Sequence, residues 1–223
     1  MAFTPDPYLA GMPSVVIRLW LPDRPGALGQ VASRIGALRG DVTGIEILER
    51  GGGQVIDELV VEFEGEVDLA LLAREVRQVD GVAVEDARLA GIHARDRGQR
   101  ALDLAAAIVS GWMREDGFES LVAFCVEDLE CRWAAAVSRP EREVSAVAGD
   151  PPDPAWLSAF VAGIADCTRP PDAVFLRFPT LPVDLVALRE GRPLHRRETA
   201  RLSSLVTVVD ATARQREGLA LRP

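Results

Sequence analysis

The hydrophobic period of this chain changes across eight residues, Leu21 to Leu28, and no other feature limits the fold as strongly. Upstream, Val15, Ile17, Leu19 and Leu21 alternate with Val16, Arg18 and Trp20. That is the period of two expected of a strand with one apolar and one mixed face, in a sheet covered on one side. Downstream, Leu28, Val31, Ala32, Ile35 and Leu38 recur at helical spacing. Between them lies Leu21-Pro22-Asp23-Arg24-Pro25-Gly26-Ala27-Leu28. Pro25 fixes φ, and its missing N–H costs nothing at a first helical turn. Gly26 allows another backbone or a ligand to come close. Asp23 stands where a capping carboxylate belongs. A loop of this kind leaves amide donors and a positive helix end open, a natural seat for a small carboxylate.

The pattern continues in the same alternating fashion. Gly40 is placed to end the first helix, and Val42 to Leu48 reads as a strand. Gly51-Gly52-Gly53 marks a hairpin turn. In the next strand Val55, Asp57, Leu59, Val61 and Phe63 alternate with Ile56, Glu58, Val60 and Glu62. Leu69, Leu72, Ala73 and Val76 mark a second helix, Gly81 stops it, and Val82 to Leu89 forms a fourth strand. The order β-α-β-β-α-β predicts an α+β, ferredoxin-like unit over residues 14–90, with an antiparallel sheet and two helices on one face. Met1 to Pro13, rich in proline, reads as an irregular arm.

The strand, the run Asp23-Arg24-Pro25-Gly26-Ala27-Leu28, the helix and Gly40-Asp41-Val42 together resemble the ligand loop of ACT domains. These are small regulatory modules that often bind amino acids and pair their sheets in homodimers. The resemblance implies ligand contacts from Asp23, Arg24, Pro25, Gly26, Ala27 and Leu28, with Asp41 and Val42 contributed across a dimer interface. The sequence departs from the family in carrying Asp at 41 and at 23, where Asn is frequent. An ionised Asp cannot donate to a ligand carboxylate, so the pair favours a cationic or zwitterionic ligand, or none.

Composition narrows the function classes. The net charge of the 223-residue chain is −9, which argues against a general phosphate-binding surface and hence against nucleic acid as a partner. All 25 cationic side chains are arginine, so lysine Schiff-base and P-loop chemistry are excluded. Such arginine use points to a GC-rich bacterial genome. Cys125, Cys131 and Cys167 form neither a disulfide framework nor a zinc pattern, and a reducing cytoplasm suits them. No apolar run of membrane-spanning length and no leader-like N-terminus is present, so no membrane partner is expected. No cofactor or metal is implied.

Gly91 to Arg100 is polar and charged and reads as a linker, with His93 a solvated residue in it. Beyond it, Leu102 to Met113 has helical spacing, and Leu121 to Val126 reads as a strand. Glu127-Asp128-Leu129-Glu130 reads as a solvated hairpin turn, with Cys131 to Val137 returning. Trp156 to Ile164 marks a helix, Ala173 to Phe178 and Leu181 to Leu188 are strands, and a helix follows Glu198. His195 reads as a surface residue at its start. The sequence Arg189, Gly191, Leu194, Glu198 and the element order are similar to the end of GAF domains. This resemblance implies a second α+β domain with an antiparallel sheet over 101–218, its pocket-covering segment reduced to Val144–Asp166. No nucleophile–base pair, G-x-G-x-x-G or P-loop is found, so the chain is expected to be a non-enzymatic regulatory protein sensing an amino acid or similar metabolite. The alternative is an interaction module that only dimerises.

Overall fold

The computed structural model describes residues 13–91, 94, 96–111, 117–139, 141, 143–163 and 170–220. The arm before Pro13, His93 and Cys167 lie outside these residues. The chain divides into two compact units, Met1–Arg95 and Asp96–Pro223.

The first unit runs β1 (Ser14–Pro22), α1 (Ala27–Ala37), β2 (Gly40–Gly51), β3 (Gln54–Phe63), α2 (Leu69–Val76) and β4 (Ala83–Leu89). The sheet order is β2-β3-β1-β4, antiparallel throughout. This is the α+β, ferredoxin-like arrangement. Val15, Ile17, Leu19 and Leu21 pack with Leu59, Val61 and Phe63 against Val31 and Ile35 of α1 and Leu72 and Val76 of α2. The opposite face is also covered. Val16 and Val60 pack with Ala94, and Arg18 is fully buried with its Nε 2.6 Å from Glu58. The sheet is therefore not one-sided, as alternation in β1 had indicated. A mixed face becomes a buried one when its charges are paired.

Gly40 does not cap α1. The helix ends at Ala37, Leu38 is its C-cap, and Arg39 takes the left-handed conformation at φ 60°. Gly40 opens β2, where a Cβ would lie 2.7 Å from Ile35 and 2.8 Å from Phe63. Glycine is needed here for close packing of strand on helix.

The second unit runs α3 (Arg97–Ser110), α4 (Gly117–Glu127), β5 (Trp133–Ser138), β6 (Val144–Gly149), α5 (Pro154–Gly163), β7 (Ala173–Arg177), β8 (Val183–Leu188) and α6 (Arg196–Ala220). Its antiparallel sheet has the order β6-β5-β8-β7. One face packs on α3, α4 and α6, with Ala101 and Ile108 of α3 in the same core as Leu202, Leu205 and Val209 of α6. The other face packs on Leu157 and Val161 of α5. Arg97 to Arg100, placed in the linker by their charge, are the first turn of α3, which Asp96 caps through Gln99 N–H.

Leu121 to Val126 is helix, not strand. Leu121, Val122, Phe124 and Cys125 are buried at helical spacing, and a short apolar run has no period that separates a buried helix from a strand. Cys125 thus belongs to α4 and Cys131 precedes β5; both are buried free thiols. The strand β6 lies within the segment that had been assigned to covering a pocket.

Candidate functional site

The site is built on the connection from β1 to α1. Ala27 N–H donates to Arg24 C=O at 3.3 Å, and Gly26 has φ 86°. Pro25 and Gly26 therefore occupy the central positions of a type II turn, where proline supplies the fixed φ and glycine the positive one. Gly26 is also the N-cap of α1 and makes no side-chain capping bond. No acidic residue stands in the first helical turn. The positive end of α1 thus carries no carboxylate of its own. Space is open beside it, since a Cβ built on Gly26 or Gly29 meets nothing within 4 Å.

Asp23 is not the cap. Its N–H donates to Gly53 C=O at 2.9 Å, and its Oδ2 lies 3.3 Å from Arg50 Nε. Both contacts tie the loop to the β2–β3 hairpin. Two-residue hairpin geometry at Gly52 and Gly53, φ 61° and 77°, presents that hairpin to the loop. Asp23, Arg24, Pro25 and Gly26 are exposed, Ala27 is buried, and Leu28 is half-buried against the core.

Asp41 and Val42 lie elsewhere. Asp41 pairs with Glu62, which pairs with Ser14, whereas Pro22 pairs with Gln54. Within one chain, Asp41 and Val42 therefore stand at the end of the sheet opposite to the Asp23–Leu28 loop. Trp20, on the face away from the helices, donates from Nε1 to Glu85 at 2.9 Å.

One residue at the loop end had drawn no functional reading. Asp57 interrupts the apolar series of β3 and pairs with Leu19 on one side and Ile47 on the other. Its register places it on the helix face, three pairs from the sheet end where α1 begins. It is only 5% exposed, and its Oδ1 accepts no hydrogen bond. Burial pushes its carboxyl above the usual aspartate range; Arg50 pulls it down and Asp23 pushes it up. The signal in the sequence was a lone acid in Val55, Leu59, Val61 and Phe63 at period two.

In the second unit, Glu127 is exposed at the end of α4, but the acids that follow it are held by arginines. Asp128 is buried and bound by Arg100 Nε at 2.7 Å; Glu130 pairs with Arg97 and Arg192, each at 2.8 Å. His195 is buried, and its N–H donates to Glu198 at 3.0 Å. Among the described residues, no group of three or more His, Cys, Asp or Glu is arranged to hold a metal, and no helix is long and apolar enough to cross a membrane.

Residues 15–81 match the family model of the ACT domain. The first unit is thus an ACT-type, ferredoxin-like domain. No curated protein matches the chain. An unknown protein from Galdieria sulphuraria aligns at 13% identity over 92% of this chain and 94% of its own, with a TM-score of 0.34. A formyltetrahydrofolate deformylase from Pseudomonas putida KT2440 aligns at 11% identity over 90% and 93%, also with a TM-score of 0.34.

Proposed function

We propose that the protein is a non-enzymatic regulator whose ACT-type domain, residues 14–90, binds an amino acid or similar metabolite at the Asp23–Leu28 loop. The observation that carries this reading is the first turn of α1, which lacks a capping side chain or acid and opens onto free space at Gly26 and Gly29. A ligand carboxylate supplies the negative charge that the helix end lacks. Because Asp41 and Val42 lie at the far end of the same sheet, any contribution from them comes from a second copy of the chain in a homodimer. Ligand then acts by favouring one dimer arrangement.

The second domain, residues 101–218, serves as the output in this reading and follows a GAF-like plan. Supporting it are a leading helix, paired strands, a covering helix α5 and a long final helix, together with the pairing of Arg189 with Glu198. The dimerisation-only alternative draws support from Ile45 and Ile47, both exposed on the edge strand β2.

The test is thermal unfolding of the full chain against a panel of amino acids, repeated on Gly29→Glu. The new carboxylate occupies the helix end and stabilises it by roughly 0.3–1 kcal/mol, in competition with ligand. A ligand at a hundred times its Kd stabilises by about 2.7 kcal/mol, and each kcal/mol moves Tm by about 2–4 °C at this size. A shift present in the native chain and lost in Gly29→Glu supports the site. A ligand-independent dimer with no shift from any compound selects the dimerisation module.

A further inference from the structure

We propose that Asp57 receives the cationic nitrogen of the molecule bound at the Asp23–Leu28 loop, which makes that molecule a small zwitterion carrying both a carboxylate and an ammonium group. This rests on the loop being the ligand site and adds the residue and the chemical group that decide what enters it.

Asp57 is a carboxylate on an otherwise apolar strand face, 95% removed from solvent, with Oδ1 unpartnered. A buried acceptor without a donor costs free energy in the folded chain, so its placement here points to a donor that arrives from outside. The cation that acts on it, Arg50, does not fill this role. Arg50 reaches Asp23 at 3.3 Å and is largely exposed. Asp23, Arg50 and Asp57 together carry a net charge of −1, which an incoming ammonium group neutralises.

The position is equally specific. β1 ends at Pro22 and α1 starts at Ala27, so the helix begins over the sheet end to which Asp57 belongs. Asp57 faces the helix layer there, opposite Leu19. The uncapped first turn of α1 attracts negative charge and Asp57 attracts positive charge. The two demands at one end of the domain are those of an amino acid and not of a simple carboxylate.

The experiment measures binding to the full chain by calorimetry and thermal shift with three probe series: L-amino acids, their Nα-acetyl derivatives, and the 2-hydroxy acids that replace ammonium by hydroxyl. The same measurements are made on Asp57→Asn and Gly29→Glu. An amino acid should bind the native chain, and its acetylated and hydroxy counterparts should bind roughly ten- to a hundred-fold more weakly. Asp57→Asn should lose a similar factor while folding at least as stably as the native chain without ligand. Binding of Nα-acetyl-lysine but no other acetylated compound also supports the proposal and assigns Asp57 to a side-chain ammonium. If the hydroxy or acetyl series binds as well as the amino acids, or Asp57→Asn keeps native affinity, the role of Asp57 is overturned. Loss of that binding in Gly29→Glu would leave the loop site standing. If no compound of any series binds the native chain, both readings fall.

Discussion

Arg189 and Glu198 meet face to face inside the second domain, Nη2 to Oε1 at 2.6 Å and Nη1 to Oε2 at 3.2 Å, each side chain about 1% exposed. Arg189 also donates from Nε to Leu129 C=O at 2.7 Å and from Nη1 to Pro193 C=O at 3.1 Å. One guanidinium thereby joins the end of β8, the start of α6 and the turn after α4. Glu198→Ala leaves that guanidinium buried without its counter-charge and should cost about 3–5 kcal/mol. The double change Arg189→Met, Glu198→Leu should cost clearly less than Glu198→Ala alone. Urea unfolding of the three chains measures the difference.

Asp210 holds the β7–β8 connection to α6. Its Oδ1 accepts from Thr180 N–H at 3.0 Å and Leu181 N–H at 2.9 Å, and its Oδ2 accepts from the Thr180 hydroxyl at 2.7 Å. Asp210→Ala should destabilise by about 2–4 kcal/mol, given roughly 1 kcal/mol or more for each bond to a charged group. Burial opposes the ionised form of Asp210, but these bonds and Arg214 outweigh it, and the carboxyl lies below the usual aspartate range. Its contribution is therefore complete above the unfolded-state pKa and is lost as pH falls through the lower folded-state value. The stability gap between native and Asp210→Asn chains should narrow on acidification.

Asp57 behaves in the opposite sense. Its folded-state pKa is raised, chiefly by burial, so the native chain holds this proton more tightly than the unfolded one. Stability without ligand should fall as pH rises from the unfolded value through the raised one. Asp57→Asn should remove that component, which pH-dependent chemical unfolding of both chains resolves. The same variant is thus expected to gain stability near neutral pH while losing ligand.

The thiols of Cys125 and Cys131 should resist alkylation in the folded protein. Burial pushes the Cys131 thiol up to about 12, with Arg189 the main opposing influence. Burial likewise raises the Cys125 thiol well above its ordinary value, and both residues are buried. Iodoacetamide at pH 8 followed by peptide mass spectrometry should leave both unmodified until denaturant is added.

Gly26→Val separates backbone strain from ligand recognition poorly, because φ 86° is strained for a β-branched residue. Gly40→Ala tests packing instead. Its methyl group would overlap Ile35, Phe63 and Val61, all closer than 3.0 Å, and should cost about 1–3 kcal/mol in thermal unfolding.

Much of the first domain was legible because its strands alternate and its turns use Pro25, Gly52 and Gly53 at positions where backbone angles demand them. Asp23 was misjudged because an Asp before a helix signals a cap whether or not Arg50 from a distant hairpin engages it. The roles of Gly40 and Arg39 depended on how closely β2 approaches Ile35, a tertiary distance that local sequence does not encode. In the second domain, Leu121–Val126 is apolar on both sides and carried no period to separate helix from strand. Glu127 is exposed as its charge suggests, but Asp128 and Glu130 looked solvated only because their partners, Arg97, Arg100 and Arg192, are remote along the chain. Asp57 was visible as an exception in a pattern, but only its burial and missing donor gave the exception meaning.

The packing of α3 on α6 has a consequence for synthesis. The first domain closes at β4 and can complete its sheet while the rest of the chain is still being made. The second cannot, because its opening helix shares a core with residues as late as Leu205 and Val209. At about 5–20 residues per second, α3 emerges several seconds before its partner and presents Ala101 and Ile108 to solvent meanwhile. Until α6 is made, the apolar face of α3 lacks the residues it packs against, so the second domain is the later of the two to close.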